Sequence, residues 1–301
     1  MTDRLDWTRD GAGWPHREAT QFVEAAGLRW HVQRMGPAGG AAPKLLLIHG
    51  TGASTHSWRG LAPLLAAQFD VLAVDLPGHG FSGMPAANRT MSLPGMASAL
   101  GALLAALDFA PAVVVGHSAG AAIGARMCLD GSIAPEALVG INGAWLPLAG
   151  AAGRFFSPLA KLLALNPVVP RLFSWRARDA AALERLIGGT GSRLDTQGVA
   201  LYARLVRNPG HVAGALAMMA NWDLGAFECA LSRLQVPLVL VVGENDRTLP
   251  PRQAQRVVQR VAGARALRLP GLGHLAHEEA PQQLAQIVMQ VAREQALLPT
   301  H

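Results

Sequence analysis

Five short, continuous apolar runs constrain this chain more than any other feature: Lys44–Ile48, Val71–Val74, Ala112–Val115, Leu138–Ile141 and Leu238–Val242. Runs of this length without polar alternation suit strands covered on both faces, as in a parallel sheet. Ala266–Leu269 is a weaker sixth. Helix-length segments separate them: Trp58–Gln68, Leu93–Leu107, Ala119–Leu129 and Pro251–Val261, and an amphipathic stretch, Pro281–Leu297, closes the chain. Strands alternating with helices predict an α/β fold with a mostly parallel central sheet flanked by helices. Residues 1–20 read as an irregular lead-in. Gln21–Ala25 and Leu28–Met35, around Ala26-Gly27, read as a hairpin.

One stretch breaks the alternation. From Trp145 to Asp223 there is no buried-strand run, only helical patterns at Phe155–Leu165, Ala180–Ile187 and Val199–Val206. Asn166-Pro167, Val169-Pro170 and Asn208-Pro209 read as the joints between them. The expected organisation is a core of residues 21–144 and 224–301 interrupted by a helical cap at 145–223.

The cap also holds the charge. Trp145–Trp222 carries nine basic and three acidic residues, a net +6, which is the whole chain's formal +6. Its arginines stand singly among apolar residues rather than clustered with stacking aromatics, so nucleic acid is disfavoured. An anionic lipid surface or an acidic ligand fits better. With 50% hydrophobic and 15% charged residues, disorder is excluded. Cys128 and Cys229 make no disulfide framework and no CxxC. The N-terminus has no apolar leader pattern, and no apolar run reaches the roughly 18 residues of a membrane span. The expected location is the cytoplasm.

Gly116-His117-Ser118-Ala119-Gly120 is a G-x-S-x-G between the run ending at Val115 and the Ala/Gly-rich segment after it. A nucleophile elbow needs this setting: a strained strand-to-helix turn with small neighbours, at a helix N-terminus that can stabilise an oxyanion. His49-Gly50-Thr51-Gly52 follows Ile48 and supplies a second donor. The expected oxyanion hole is the N–H of Ala119 with that of Thr51, Gly52 being the alternative. Asp246 follows Leu238–Val242 as the orienting acid, with Asp223 as a competitor. His274, on a Gly-hinged loop after Leu269, is the base. His277 and His117 read as structural. Gly78-His-Gly80-Phe-Ser-Gly83 matches G-x-G-x-x-G but follows Pro77 and opens no helix, so it reads as a loop. No metal or cofactor site is expected.

These strings, with Asp75-Leu-Pro-Gly-His-Gly-Phe-Ser82, resemble the α/β-hydrolase superfamily over nearly the whole chain. The order Ser118, Asp246, His274 is the order of its triad. The resemblance implies an α/β-hydrolase fold, the cap as its lid, and acyl transfer to water. Epoxide hydrolases and haloalkane dehalogenases of this fold would place Asp where Ser118 stands. More narrowly, Trp14–Ala19, Phe22–Gly36, His49–Arg59 and Asn221–Leu224 resemble the magnesium-chelatase accessory proteins of bacteriochlorophyll biosynthesis, the BchO family. That likeness implies photosynthetic pigment synthesis near magnesium insertion, with a tetrapyrrole or the magnesium chelatase as partner. It also leaves open a non-catalytic accessory or porphyrin-carrier role that retains the fold.

The cap's apolar residues Phe155, Phe156, Leu159, Leu162, Leu163, Leu172, Phe173, Trp175, Met218 and Met219 have two readings. They pack between cap and sheet, or some line a large apolar pocket over Ser118. In the second reading Arg154, Arg171, Arg176, Arg178, Arg185, Arg193, Arg204 and Arg207 ring the pocket. The ligand is then a small molecule both apolar and acidic, and the protein attaches weakly to the inner membrane face.

Overall fold

The computed structural model describes residues 4–37, 40–147, 166 and 168–299. Eight strands form one sheet: β1 (Thr20–Ala25), β2 (Leu28–Met35), β3 (Lys44–Ile48), β4 (Asp70–Val74), β5 (Val113–His117), β6 (Ala137–Ile141), β7 (Leu238–Gly243) and β8 (Arg265–Leu269). Their spatial order is β1-β2-β4-β3-β5-β6-β7-β8. β2 runs antiparallel to β1 and β4, and every other pair is parallel. Ala26 and Gly27, both at positive φ, turn the β1–β2 hairpin.

Twelve α-helices accompany the sheet among the described residues. They are α1 (Trp7–Asp10), α2 (Ala62–Ala66), α3 (Leu93–Ala106), α4 (Ala119–Leu129), α5 (Val168–Arg176), α6 (Ala180–Gly188), α7 (Thr196–Val206), α8 (Pro209–Asn221), α9 (Gly225–Ala230), α10 (Gln253–Val258), α11 (Ala276–Glu279) and α12 (Pro281–Glu294).

The uninterrupted apolar runs are explained by the two faces of the sheet. Leu46, Ile48, Val114 and Leu240 share one core with Met96, Leu100 and Leu103 of α3 and Ile123 of α4. Their immediate neighbours Leu45, Leu47, Val113 and Val241 share another with Leu65 of α2 and Leu284, Val288 and Val291 of α12. Side chains alternate, and both faces are dry.

Helices α5–α8 lie between β6 and β7, where the strand pattern lapses. One departure from the sequence reading occurs here. Val169-Pro170 lies within the first turn of α5 instead of separating helices. Asn208-Pro209 is a joint as expected, between α7 and α8: the Asn208 side chain accepts the His211 N–H at 2.9 Å, and Pro209 takes the first position of α8. Proline costs nothing there, because that N–H has no helical partner. The Phe155–Leu165 pattern, with Arg154, Phe155, Phe156, Leu159, Leu162 and Leu163, lies outside the described residues.

The lead-in is also more ordered than expected. α1 is capped by Asp6, and Trp14 is buried with Phe81, Leu201 and Leu205, joining the N-terminus to α7.

Candidate active site

Ser118 occupies the turn between β5 and α4 with φ 51° and ψ −117°. A non-glycine residue there costs roughly 1–3 kcal/mol and persists only when its surroundings hold it. Here the Ser118 N–H donates to the Ile141 carbonyl at 3.0 Å, and its own carbonyl accepts from Ala121 and Ala144. Small neighbours permit the turn. A Cβ on Gly120 would overlap the Ile48 carbonyl oxygen, and one on Gly116 would run into the Ala121 backbone. Ser118 is half-buried, and its hydroxyl bonds no other described residue.

Both partner loops leave the same sheet edge. Asp246 follows β7 and His274 follows β8, and both are buried. His274 Nδ1 lies 2.8 Å from Asp246 Oδ2, while Asp246 Oδ1 accepts the Thr248 and Leu249 N–H groups at 2.7 and 2.9 Å. A carboxylate only accepts, so Nδ1 carries a proton, and in the neutral ring the lone pair is left on Nε2. Asn142, just beyond β6, ties the two loops. Its amide donates to the Gly273 and His274 carbonyls, both at 2.9 Å, and its oxygen accepts the Gly243 N–H at 2.8 Å. His117 Nε2 meets the His274 carbonyl at 2.9 Å, holding that loop against the elbow.

The glycine loop after β3 lies beside Ser118: a Cβ on Gly50 would stand 2.9 Å from the Ser118 Cβ. His49 Nε2 accepts the Leu76 N–H at 2.9 Å, so its Nδ1–H donates to the Gly50 carbonyl at 2.7 Å. In a trans peptide the Thr51 N–H therefore points the opposite way. The Ala119 N–H belongs to the first turn of α4, where no helical acceptor exists.

The model of the alpha/beta hydrolase fold family matches residues 43–281. The chain belongs to the alpha/beta hydrolase family. This chain is 39% identical over 278 residues to the magnesium-chelatase 30 kDa subunit of Rhodobacter capsulatus, covering 92% of this chain and 96% of that one. An alpha/beta hydrolase fold protein from Burkholderia ambifaria superposes with TM-score 0.74 at 27% identity, covering 90% of this chain and 99% of that one. A putative lipase from Acinetobacter baumannii, at 18% identity and TM-score 0.75, covers 98% of this chain and all of that one, and shares the fold.

The chain also holds a buried polar hub that the sequence reading missed. The Asp75 carboxylate accepts the Thr55 and Phe81 N–H groups at 2.7 and 2.9 Å and pairs with His31 Nδ1 at 2.8 Å. Burial alone would raise this carboxyl, but the His31 and His49 imidazoles and the Phe81 N–H together hold it well below the usual carboxylate range. His211 of α8 accepts the Gly80 N–H at 3.0 Å and donates to the Gly52 carbonyl at 3.1 Å. Burial pushes its imidazole down to about 4. The inserted helices are thereby bonded to the glycine loop. The quoted Asp75–Ser82 string marked this loop, but His31 and His211 carried no local signal.

The remaining candidates separate cleanly. Asp223 is exposed and accepts the Gly225 N–H at 2.9 Å, away from His274. His277 is buried against Trp58 and His117, and burial pushes it down to about 3. Met218 is buried, and its sulfur accepts the Thr51 hydroxyl at 3.4 Å. Leu172, Phe173, Trp175 and Met219 face solvent, which corrects their reading as core or pocket lining. Arg204 bonds the Asp10 and Ala12 carbonyls, and Arg207 those of Ala177 and Arg178, so neither guanidinium rings a pocket. No group of His, Cys, Asp or Glu among the described residues is arranged to hold a metal.

Proposed function

We propose that this protein is a serine hydrolase that cleaves an acyl bond in a bulky apolar substrate. The observation carrying this reading is the strained Ser118 elbow beside an imidazole whose Nδ1 is 2.8 Å from a buried carboxylate. His274 Nε2 takes the Ser118 proton as Oγ attacks the acyl carbon. The resulting oxyanion accepts from the Ala119 and Thr51 N–H groups. The imidazolium then protonates the leaving group. Water, deprotonated by the same nitrogen, attacks the acyl-serine, releasing the acid and restoring the hydroxyl.

We take the segment inserted between β6 and β7 as the cap of this centre: its described helix α8 brings the Met218 sulfur to the glycine loop at Thr51. Likeness to a magnesium-chelatase subunit supports a cytoplasmic role beside magnesium insertion in bacteriochlorophyll synthesis, with a tetrapyrrole or the chelatase as partner. Fluorophosphonate labelling and p-nitrophenyl ester turnover test the chemistry. Wild type should label and turn over, and Ser118→Ala should do neither. Labelling that survives in the variant would refute the nucleophile.

A second reading has its own support. The relative is called a chelatase subunit, and no hydrogen bond joins the Ser118 hydroxyl to His274. A non-catalytic accessory or porphyrin carrier on the hydrolase fold would fit both facts. Catalytic hydrogen bonds are often loose without substrate, which favours the first. Genetic complementation with Ser118→Ala decides: full rescue means the binding role.

A further inference from the structure

Helix α5 turns its apolar side outward. Val168, Leu172 and Trp175 are 62%, 60% and 62% exposed, and Phe173 beside them is 43% exposed. The first three fall at i, i+4 and i+7, one stripe of a helix. The inward positions hold Pro170 and Ser174, both buried. A helix folded only for its own domain has the opposite polarity, with its large apolar groups inside. Elsewhere, Trp30 and Trp58 are fully buried, so large apolar groups are not exposed as a rule.

The edge of the stripe is cationic. Arg176 and Arg178 are exposed and have no carboxylate partner among the described residues. With Trp175 and Asp179 they border a surface hollow of about 410 Å³. Asp179 is engaged elsewhere, capping α6 through the Ala181 N–H at 3.0 Å and lying 3.7 Å from Arg185. An apolar stripe with an aromatic ring, rimmed by arginines in a segment of net +6, is complementary to an anionic interface with an apolar interior.

We propose that α5 docks the protein on an anionic lipid bilayer, lying flat with Val168, Leu172, Phe173 and Trp175 in the headgroup–acyl boundary and Arg176 and Arg178 on the phosphates. Among the described residues no helix is long and apolar enough to cross a membrane, so the attachment made here is interfacial. One face of a nine-residue helix is small beside the roughly 800 Å² per partner of a stable protein interface. It is adequate for a bilayer, where apolar insertion and charge attraction add. This docking needs no catalysis by Ser118, so it stands or falls apart from the chemistry.

Co-sedimentation of the full chain with two kinds of vesicle tests it: phosphatidylcholine alone, and an equal mixture with phosphatidylglycerol. The protein should bind the mixed vesicles at low salt, leave them at high salt, and ignore phosphatidylcholine. Leu172→Ser with Trp175→Ser should weaken binding about tenfold or more. Arg176→Gln and Arg178→Gln should each weaken it about fivefold and flatten the salt dependence. Turnover of a water-soluble ester should match wild type in all these variants, which also reports that they fold. Failure to bind mixed vesicles at low salt overturns the proposal, as does binding the variants leave unchanged. Capture of magnesium-chelatase subunits through the same residues, without vesicle binding, would assign the face to a protein and likewise overturn it.

Discussion

The backbone carbonyl of Thr190 accepts the N–H of His274 at 3.2 Å and also that of Arg247 at 3.1 Å. One oxygen between β6 and β7 thus joins the loop carrying the imidazole to the loop carrying its carboxylate. Two residues on, the Ser192 hydroxyl accepts the Leu275 N–H at 2.8 Å. Then the Arg193 N–H donates to Glu279 at 3.0 Å, and the other oxygen of that carboxylate accepts the Gly273 N–H at 2.9 Å. The inserted segment therefore braces the site as well as standing near it.

Gly191 tests this bracing. It has φ 83°, and a Cβ there would overlap the Asn245 carbonyl oxygen beside Asp246. Gly191→Ala should displace the acid loop and lower kcat by about a hundredfold, the scale of an ångström's misplacement. Far-UV circular dichroism should be unchanged. Wild-type kcat in this variant would remove the segment from any positioning role.

The two candidate acids are separable. Asp246→Asn keeps the shape but reverses the donor logic at His274 Nδ1, and should cost about 10⁴ in kcat. Asp223→Asn, on an exposed turn, should cost nothing measurable. Ester kinetics on both variants checks this, and the reverse pattern would move the acid to Asp223.

Backbone strain at Ser118 gives a thermodynamic signature. Glycine adopts φ 51° readily whereas alanine does not, so Ser118→Gly should be more stable than Ser118→Ala by about 1 kcal/mol. Elsewhere in folded structure the usual order is the reverse. Both variants should be inactive. Urea denaturation measures the difference, and equal midpoints would deny the strain.

Acid should unfold this protein early. Burial holds His49, His56, His79, His117, His211 and His277 below the ordinary imidazole value, His211 at about 4 and His277 at about 3. The unfolded chain protonates them near pH ~6.5, so below that it binds more protons than the folded one. Stability is fully present above ~6.5 and falls with pH, each histidine contributing up to about 1.4 kcal/mol per unit until its folded value is passed. Glu278, pushed up to about 7 by burial, opposes this below 7, one group against six. The urea midpoint should be nearly level above neutral and drop steeply below about pH 6. A level midpoint down to about pH 4 would contradict the neutral burial of these rings.

Legibility followed locality. The hairpin and the buried runs were readable because a strand dry on both faces must be apolar at every position, as Leu45–Ile48 is. Ser118 was readable because its strained turn needs small residues at Gly116 and Gly120, close by in the chain. The start of α5 was misread because Val169-Pro170 was taken as a break where it sits in a first turn.

Chain composition and period by themselves determined an α/β sheet, a Ser–Gly elbow and an inserted basic segment, since each is written in residues that adjoin. The tertiary structure alone decided that His274 meets Asp246 rather than Asp223, that His31 and Asp75 share one buried bond, that Thr190 joins two loops, and that α5 faces outward. Those partners are far apart in sequence, and only the folded path sets which donor stands opposite which acceptor. A periodic pattern shows that a helix has an apolar side, but not what that side will face.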